Sequence, residues 1–447
     1  MSNRAMKALV LVEHVDRELD VVCLARMLLK RNFGIDLEVA NVSSDAPSIL
    51  RGNPPKIVFF SSFYSSEWNL RRDYVSAWPG AKFFSLSWEQ IFCSIDLDMH
   101  RPLDDYARQK VHYLAWSTDY RDFLIIHGVD PQNITIVGHA LYQLYDAPHC
   151  QYFKTRSNLA KKFLLDDLKR WIFIPENYGF AFYSDETIEV VKGGHPVPEA
   201  FERDLVAVRQ YCRSSMAALG KWADALAKRD DVEVVFRPRP ANNKDDLIRF
   251  FRDECGLSAP NFHLIKEETA RDWVLASDVV LSSYSTVLIE AALAGKTIRK
   301  VEPSPLPGPL CYDWCELITS VTSLEDMVAV ASPRTHDGGS AALREWAKAR
   351  FFLPEDPVSC LVKEIAKRTT AAYEDMAEVP RGPYKQVMPA WLGVLDRVAG
   401  PATRDRLYRK FVPGYTHKIS GHERDFFDRR EVDRRTRKWR EVIDAQR

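Results

Sequence analysis

No stretch of the 447-residue chain approaches 18 uninterrupted apolar residues, so no membrane-spanning helix is expected. Neither charge is in excess. With 62 Lys+Arg against 62 Asp+Glu, binding of nucleic acid through overall charge is excluded, and only a local basic patch could serve that purpose. Cysteine is sparse and scattered at eight residues. Only Cys311 and Cys315 lie close together, with no second pair or His cluster beside them, which argues against a zinc site and for reduced thiols in a cytosolic protein. Residues 1–20 hold an apolar core of about six residues before acids appear, too short for a secretory signal. Internal repeats and low-complexity segments are missing too. What is present is 46% hydrophobic residues, enough to bury two full-sized cores.

The order of patterns sets the class. Lys7-Ala8-Leu9-Val10-Leu11-Val12 reads as a strand buried on both faces. Leu19, Val22, Cys23, Arg26, Met27 and Lys30 then recur at helical spacing, and Gly34 closes the helix. A second strand follows at 35–39, so the unit is βαβ and the sheet parallel. The alternation continues with strands at 56–60, 82–86, 113–116 and 134–138 and helices near 68–78, 107–111 and 118–127. A polar helical bridge at 147–168 leads to a second series. Its strands are expected at 170–175, 232–236, near His263 and at 279–281, and its helices at 198–228, 244–254, 269–276 and 286–294. The expected fold is α/β: a Rossmann-like domain over 1–146, a second over 169–340, and a helical C-terminal extension over 341–447. In tandem Rossmann-like halves, the active cleft is expected between the domains at the carboxyl ends of the strands. Residues 401–447 carry 14 Lys+Arg and 8 Asp+Glu, a net of +6. That tail reads either as a helix packed back on the domains or as a surface helix leaning on anionic lipid.

Two segments suit phosphate. In Val234-Val235-Phe236-Arg237-Pro238-Arg239-Pro240 a buried strand ends in two arginines, each stiffened by a proline, and guanidinium forks match phosphate oxygens. In the second, a strand runs through Ser282, Ser283, Ser285 and Thr286 straight into an apolar helix, where hydroxyls and helix-start amides can cap the helix or hold an anion. Glu290 lies one turn into that helix.

This half resembles GT-B glycosyltransferases, most closely the capsule and teichoic-acid polymer enzymes. Their second domain has an Arg-Pro-His-Pro loop followed by an Asp-Tyr-Ser-Ser type turn. Here the loop is Arg237-Pro238-Arg239-Pro240 and the turn Ser283-Tyr284-Ser285-Thr286, so Arg239 replaces the His and Ser283 the Asp. The stretch from Glu290 to Gly295-Lys296 is similar to the segment whose Glu holds the donor's ribose. Val12-Glu13 with Arg17-Glu18-Leu19-Asp20, Ile134 to His139, and Phe173 to Phe182 are similar to bacterial surface-carbohydrate biosynthesis proteins. The likeness spans about residues 6–300.

It implies a nucleotide-sugar donor (CMP/CDP or UDP type) held by Arg237, Arg239, Ser282, Ser283, Ser285, Thr286 and Glu290. The acceptor would be a glycan or glycolipid on the first domain. Glu18 and Glu89, each just beyond a strand, are the candidates for catalytic base or orienter. Glu13, His14, Arg17, Glu176 and Asn177 are expected at the cleft, and His139 is a further strand-end candidate. No cofactor, metal or nucleic-acid partner is expected. Asp96-Leu97-Asp98 has metal-binding spacing but falls in an apparent loop, while Asp166-Asp167 and Asp245-Asp246 read as helix-start acids. The leading reading is a cytoplasmic, metal-independent glycosyltransferase building a bacterial surface polysaccharide (capsule or lipopolysaccharide type), its basic tail able to meet the inner face of the plasma membrane. A sugar-nucleotide 2-epimerase and a non-catalytic nucleotide-binding scaffold in capsule assembly are the alternatives.

Overall fold

The computed structural model describes residues 6–97, 100–182, 199–239, 242, 244–332, 338–352, 356–375, 378–382 and 426–446. Pro240, Asp98 and residues 401–425 of the basic tail lie outside them.

The chain divides into two compact units. The first gathers Met1–Gln90, Arg101–Leu144 and Arg350–Arg447, and the second Ile91–His100 and Tyr145–Ala349. Each is built on a six-stranded, all-parallel sheet. The first sheet comprises β1 (Lys7–Val12), β2 (Asp36–Asn41), β3 (Ile57–Phe60), β4 (Lys82–Ser85), β5 (Val111–Ala115) and β6 (Ile134–Ile136), in the order β2-β1-β3-β4-β5-β6. The second comprises β7 (Arg170–Pro175), β8 (Val232–Arg237), β9 (Phe262–Leu264), β10 (Val279–Ser282), β11 (Thr297–Val301) and β12 (Ser320–Val321), in the order β9-β8-β7-β10-β11-β12. Strand order therefore reverses direction at β1/β3 in one sheet and at β7/β10 in the other. In open parallel sheets, loops at such a switch point diverge and leave a crevice for ligand.

Local chemistry explains the elements. Helix α1 (Asp20–Phe33) ends at Gly34, whose φ of 68° lets its amide close back on Leu29 and Lys30. The helix Glu199–Ala227 presents Leu205, Val208, Cys212, Met216, Leu219, Ala223 and Leu226 at three- and four-residue steps, and all of them are buried in the second core. The turn at Asp166-Asp167 precedes β7 rather than starting a helix, because the bridge helix Arg156–Phe163 has already ended. Asp96 and Leu97 belong to a one-turn helix, Ser94–Leu97, where a loop was expected. The segment Ile91–His100 groups with the second unit; Cys93 is buried in that core.

Gly220 marks a close helix contact. A Cβ there would lie 2.6 Å from Cys255 Sγ and 2.9 Å from Phe251 Cδ1. Gly220→Ala should therefore destabilise the second unit by about 1–3 kcal/mol through overpacking, despite the better helix propensity of Ala. A urea melt checks this, and an unchanged midpoint would contradict it.

The C-terminal helix Arg429–Asp444 packs along α1, with Val432 and Trp439 buried. Arg26 Nη1 donates to Asp433 Oδ1 (2.9 Å) and Thr436 Oγ1 (3.0 Å), and Arg31 pairs with Asp444 at 2.9 Å. Its apolar face is thereby used within the protein. Arg430, Arg434, Arg437 and Arg440 remain exposed. Among the described residues, no helix is long and apolar enough to cross a membrane.

Candidate functional site

At the first switch point the chain leaves β1 through Glu13 and His14 and enters a π-helical turn, Val15–Leu19. The turn aims Glu18 inward, where it is 0% exposed. Its carboxylate meets Ser61 Oγ at 2.5 Å, the Glu13 amide at 3.0 Å and Arg17 Nη2 at 3.3 Å. Ser61 sits just past β3, across the switch. Its oxygen accepts from the Glu13 amide (3.2 Å) and lies 3.0 Å from the Leu11 carbonyl. A hydroxyl has one proton, yet Ser61 faces two acceptors. A protonated Glu18 removes that conflict, because it can donate to Ser61 while Ser61 donates to Leu11.

Burial pushes the Glu18 carboxyl above the usual range; Arg17 and His14 oppose the shift without cancelling it. Burial raises Glu13 as well, but Arg71, His14 and Arg17 outweigh it and hold Glu13 below its ordinary value. Arg71 Nη2 reaches Glu13 Oε2 at 3.1 Å. Two neighbouring carboxylates thus titrate in opposite directions, a pattern typical of acid/base assignments. Glu89 is half exposed and ion-pairs with Arg17, so it bears on Glu18 through that guanidinium. It stands in a loop beyond β4. Glu13, His14, Arg17, Glu18 and Glu89 are therefore brought together.

His139 is placed elsewhere. It is 2% exposed and stacked on Trp116, with ring centroids 3.4 Å apart, and it belongs to the aromatic core of its unit. Ser61 and Arg71 were missed by sequence reasoning. A Ser61-Ser62 pair directly after a wholly apolar strand was the available signal for the first.

In the second unit, β8 carries Arg237 to its last position, 7% exposed, with Nε donating to the Glu268 carbonyl at 3.0 Å. Glu176, just past β7, is buried, and burial raises its carboxyl. It accepts from the amides of Tyr178 and Arg239 (the latter at 3.2 Å) and from Asn242 Nδ2 at 2.5 Å. Its role on these contacts is to tie the β7 and β8 loops together. Asn177 beside it is partly exposed.

Arg239 is exposed, and its guanidinium crosses Gly179, where a Cβ would stand 2.5 Å from Nη1. Gly179→Ala should therefore leave the fold intact, because only the end of a flexible side chain must move, while displacing Arg239 and, if that guanidinium meets phosphate as expected from the sequence, weakening nucleotide binding several-fold. Calorimetric titration checks it; an unchanged Kd would remove Arg239 from the site.

The hydroxyl run separates into two kinds. Ser282 Oγ is spent on the Pro175 carbonyl (2.9 Å), stitching β10 to β7, and Ser283 is 1% exposed. Ser285 and Thr286 are partly open. Ser285 Oγ, and not Thr286, accepts the first helix amide, from Val287 at 3.3 Å. That helix, Val287–Leu293, is only seven residues long. Glu290 accepts from the Tyr145 hydroxyl, a partner the sequence did not reveal. Arg237, Glu176 and the Ser282–Thr286 turn thus occupy the carboxyl ends of the adjoining strands β8, β7 and β10, at the second switch point.

Two parallel α/β units with these strand orders make up a GT-B-type fold. The chain is similar in structure to the wall teichoic acid polymerase TagF, with a TM-score of 0.53 and 10% identity over 83% of this chain and 90% of that one. It is also similar to the UDP-GlcNAc 2-epimerase from Neisseria meningitidis bound to UDP-GlcNAc, with a TM-score of 0.50 and 12% identity over 82% and 100% of the two chains. At such identities the likeness shows the fold alone. No protein-family model and no curated protein sequence matches the chain.

Proposed function

We propose that the chain is a metal-independent glycosyltransferase that moves a sugar from a nucleotide-sugar donor, of CMP/CDP or UDP type, to a growing bacterial surface polysaccharide. The acceptor belongs to the domain at 1–146, the donor to that at 169–340, and 341–447 is an extension. The observation that carries the reading is the first switch point, where a fully buried Glu18 with a raised proton affinity sits beside a Glu13 with a lowered one. In its deprotonated form Glu18 takes the proton of the acceptor hydroxyl, and Glu89 orients Arg17 against it. In the second unit Arg237 and Arg239 neutralise the departing phosphate, with Ser285 and Thr286 completing its seat. Glu290 and Tyr145 hold the ribose. Contact with anionic lipid falls to the exposed arginine face of the last helix, since the apolar face is buried on α1.

A thermal-shift screen against CMP, CDP, UDP, GDP and their sugar conjugates tests the donor half. A ligand at a hundredfold excess over Kd stabilises the folded state by about 2.7 kcal/mol. One nucleotide family should stand out. No shift from any of them would refute the phosphate seat.

A further inference from the structure

The π-helical turn carrying Arg17 and Glu18 passes into α1 at Asp20. Wide turns of this kind are rare and recur at functional sites, where surrounding contacts hold them. Asp20 is 3% exposed and is gripped twice by the C-terminal helix. Arg435 Nη1 donates to its carboxylate at 2.7 Å, and Trp439 Nε1 donates to its backbone carbonyl at 2.7 Å. Arg435 is steadied in turn by Glu431, whose Oε1 accepts from Nε at 2.7 Å. The indole bond matters most for position, because it fixes main chain rather than a rotatable side chain. Other polar ties between these helices, Cys23 Sγ to the Val432 carbonyl, Arg26 to Asp433 and Thr436, and Arg31 to Asp444, join α1 further along.

We propose that Arg435 and Trp439 are positioning residues for the proton-transfer site: acting through Asp20, they hold the π turn in the register that keeps Glu18 against Ser61 and Arg17. The last helix is then part of the working apparatus, although its residues lie more than 400 positions from Glu18. The inference rests on Glu18 being the working carboxylate.

The test is the titration of Glu18 in the full chain labelled with 13C at glutamate carboxyls, its signal being the one missing in Glu18→Gln. The charged or titratable groups facing Glu18 are Glu13, His14 and Arg17 on its own stretch. Ser61 faces it from beyond β3, while Arg71 and Glu89 act through Glu13 and Arg17. Trp439→Phe removes the indole N–H along with the five-membered ring that carries it, and Arg435→Ala the guanidinium. Either should loosen the turn, admit water and bring the midpoint down toward the ordinary glutamate value. Arg435→Lys should restore part of the shift, and Arg31→Ala, which cuts a tie remote from the turn, should leave the midpoint in place. An unmoved midpoint in folded Trp439→Phe would overturn the proposal even if Arg435→Ala fails to fold, as would an equal shift in Arg31→Ala. An ordinary midpoint in the wild-type chain would instead sink the reading of Glu18 itself and the positioning role with it.

Discussion

Glu18→Gln should lower turnover by about 10²–10⁴-fold, the range that a positioned proton-transfer group contributes, and leave nucleotide affinity in the second unit unchanged. The substitution keeps shape and burial and removes the titration, together with the charge and one acceptor oxygen. A base works deprotonated, so the acid limb of the wild-type rate profile should lie above the ordinary carboxylate range, with activity climbing as pH rises through the elevated Glu18 value. Stability should run the other way. The folded state binds this proton more tightly than the unfolded chain does, so that contribution is present at low pH and lost as pH rises through the folded value. The decline should be smaller in Glu18→Gln. Rate profiles and melts at several pH values read both effects, and a Gln variant with wild-type turnover would assign proton transfer elsewhere.

Arg237→Ala should cost roughly 10–100-fold in nucleotide affinity, since a hydrogen bond to a charged group is worth about 1.5–3 kcal/mol. The backbone tie to Glu268 leaves the guanidinium aimed from a nearly buried stem, so little ordering remains to be lost on binding. Lysine in its place should recover only part of the affinity, because an ammonium cannot fork across two phosphate oxygens. Calorimetry with the nucleotide returned by the screen is the measurement. Unchanged affinity in a folded Arg237→Ala would remove the arginine loop from the site.

How much of this is readable in the sequence follows from which forces act locally. The strands of both sheets are short apolar runs between turns, so β1, β3, β7 and β8 stand out from composition alone, and Gly34 and the spacing from Leu19 to Lys30 delimit α1 with nearly the right ends. The last two strands, β11 and β12, went unread because Thr297-Ile298-Arg299-Lys300-Val301 mixes charge into its run and Ser320-Val321 is too short to show a period. The strand-end position of Glu18 and Arg237 was also legible. Their partners were not. The proximity of Ser61 to Glu18, of Tyr145 to Glu290 and of Trp439 to Asp20 arises from strand order and helix docking, which no local pattern encodes. The same reason misplaced His139: a strand-end histidine looks available until Trp116 and Tyr142 close around it.

The most direct test of the central claim is transfer itself. The wild-type chain is given the radiolabelled sugar-nucleotide selected by the screen, with and without bacterial surface glycan or glycolipid as acceptor. The account predicts label moving to the acceptor with release of free nucleotide, dependent on acceptor and lost in Glu18→Gln. Conversion of the sugar-nucleotide to an isomer without any acceptor would establish a 2-epimerase instead, and binding without turnover under every acceptor would establish a scaffold.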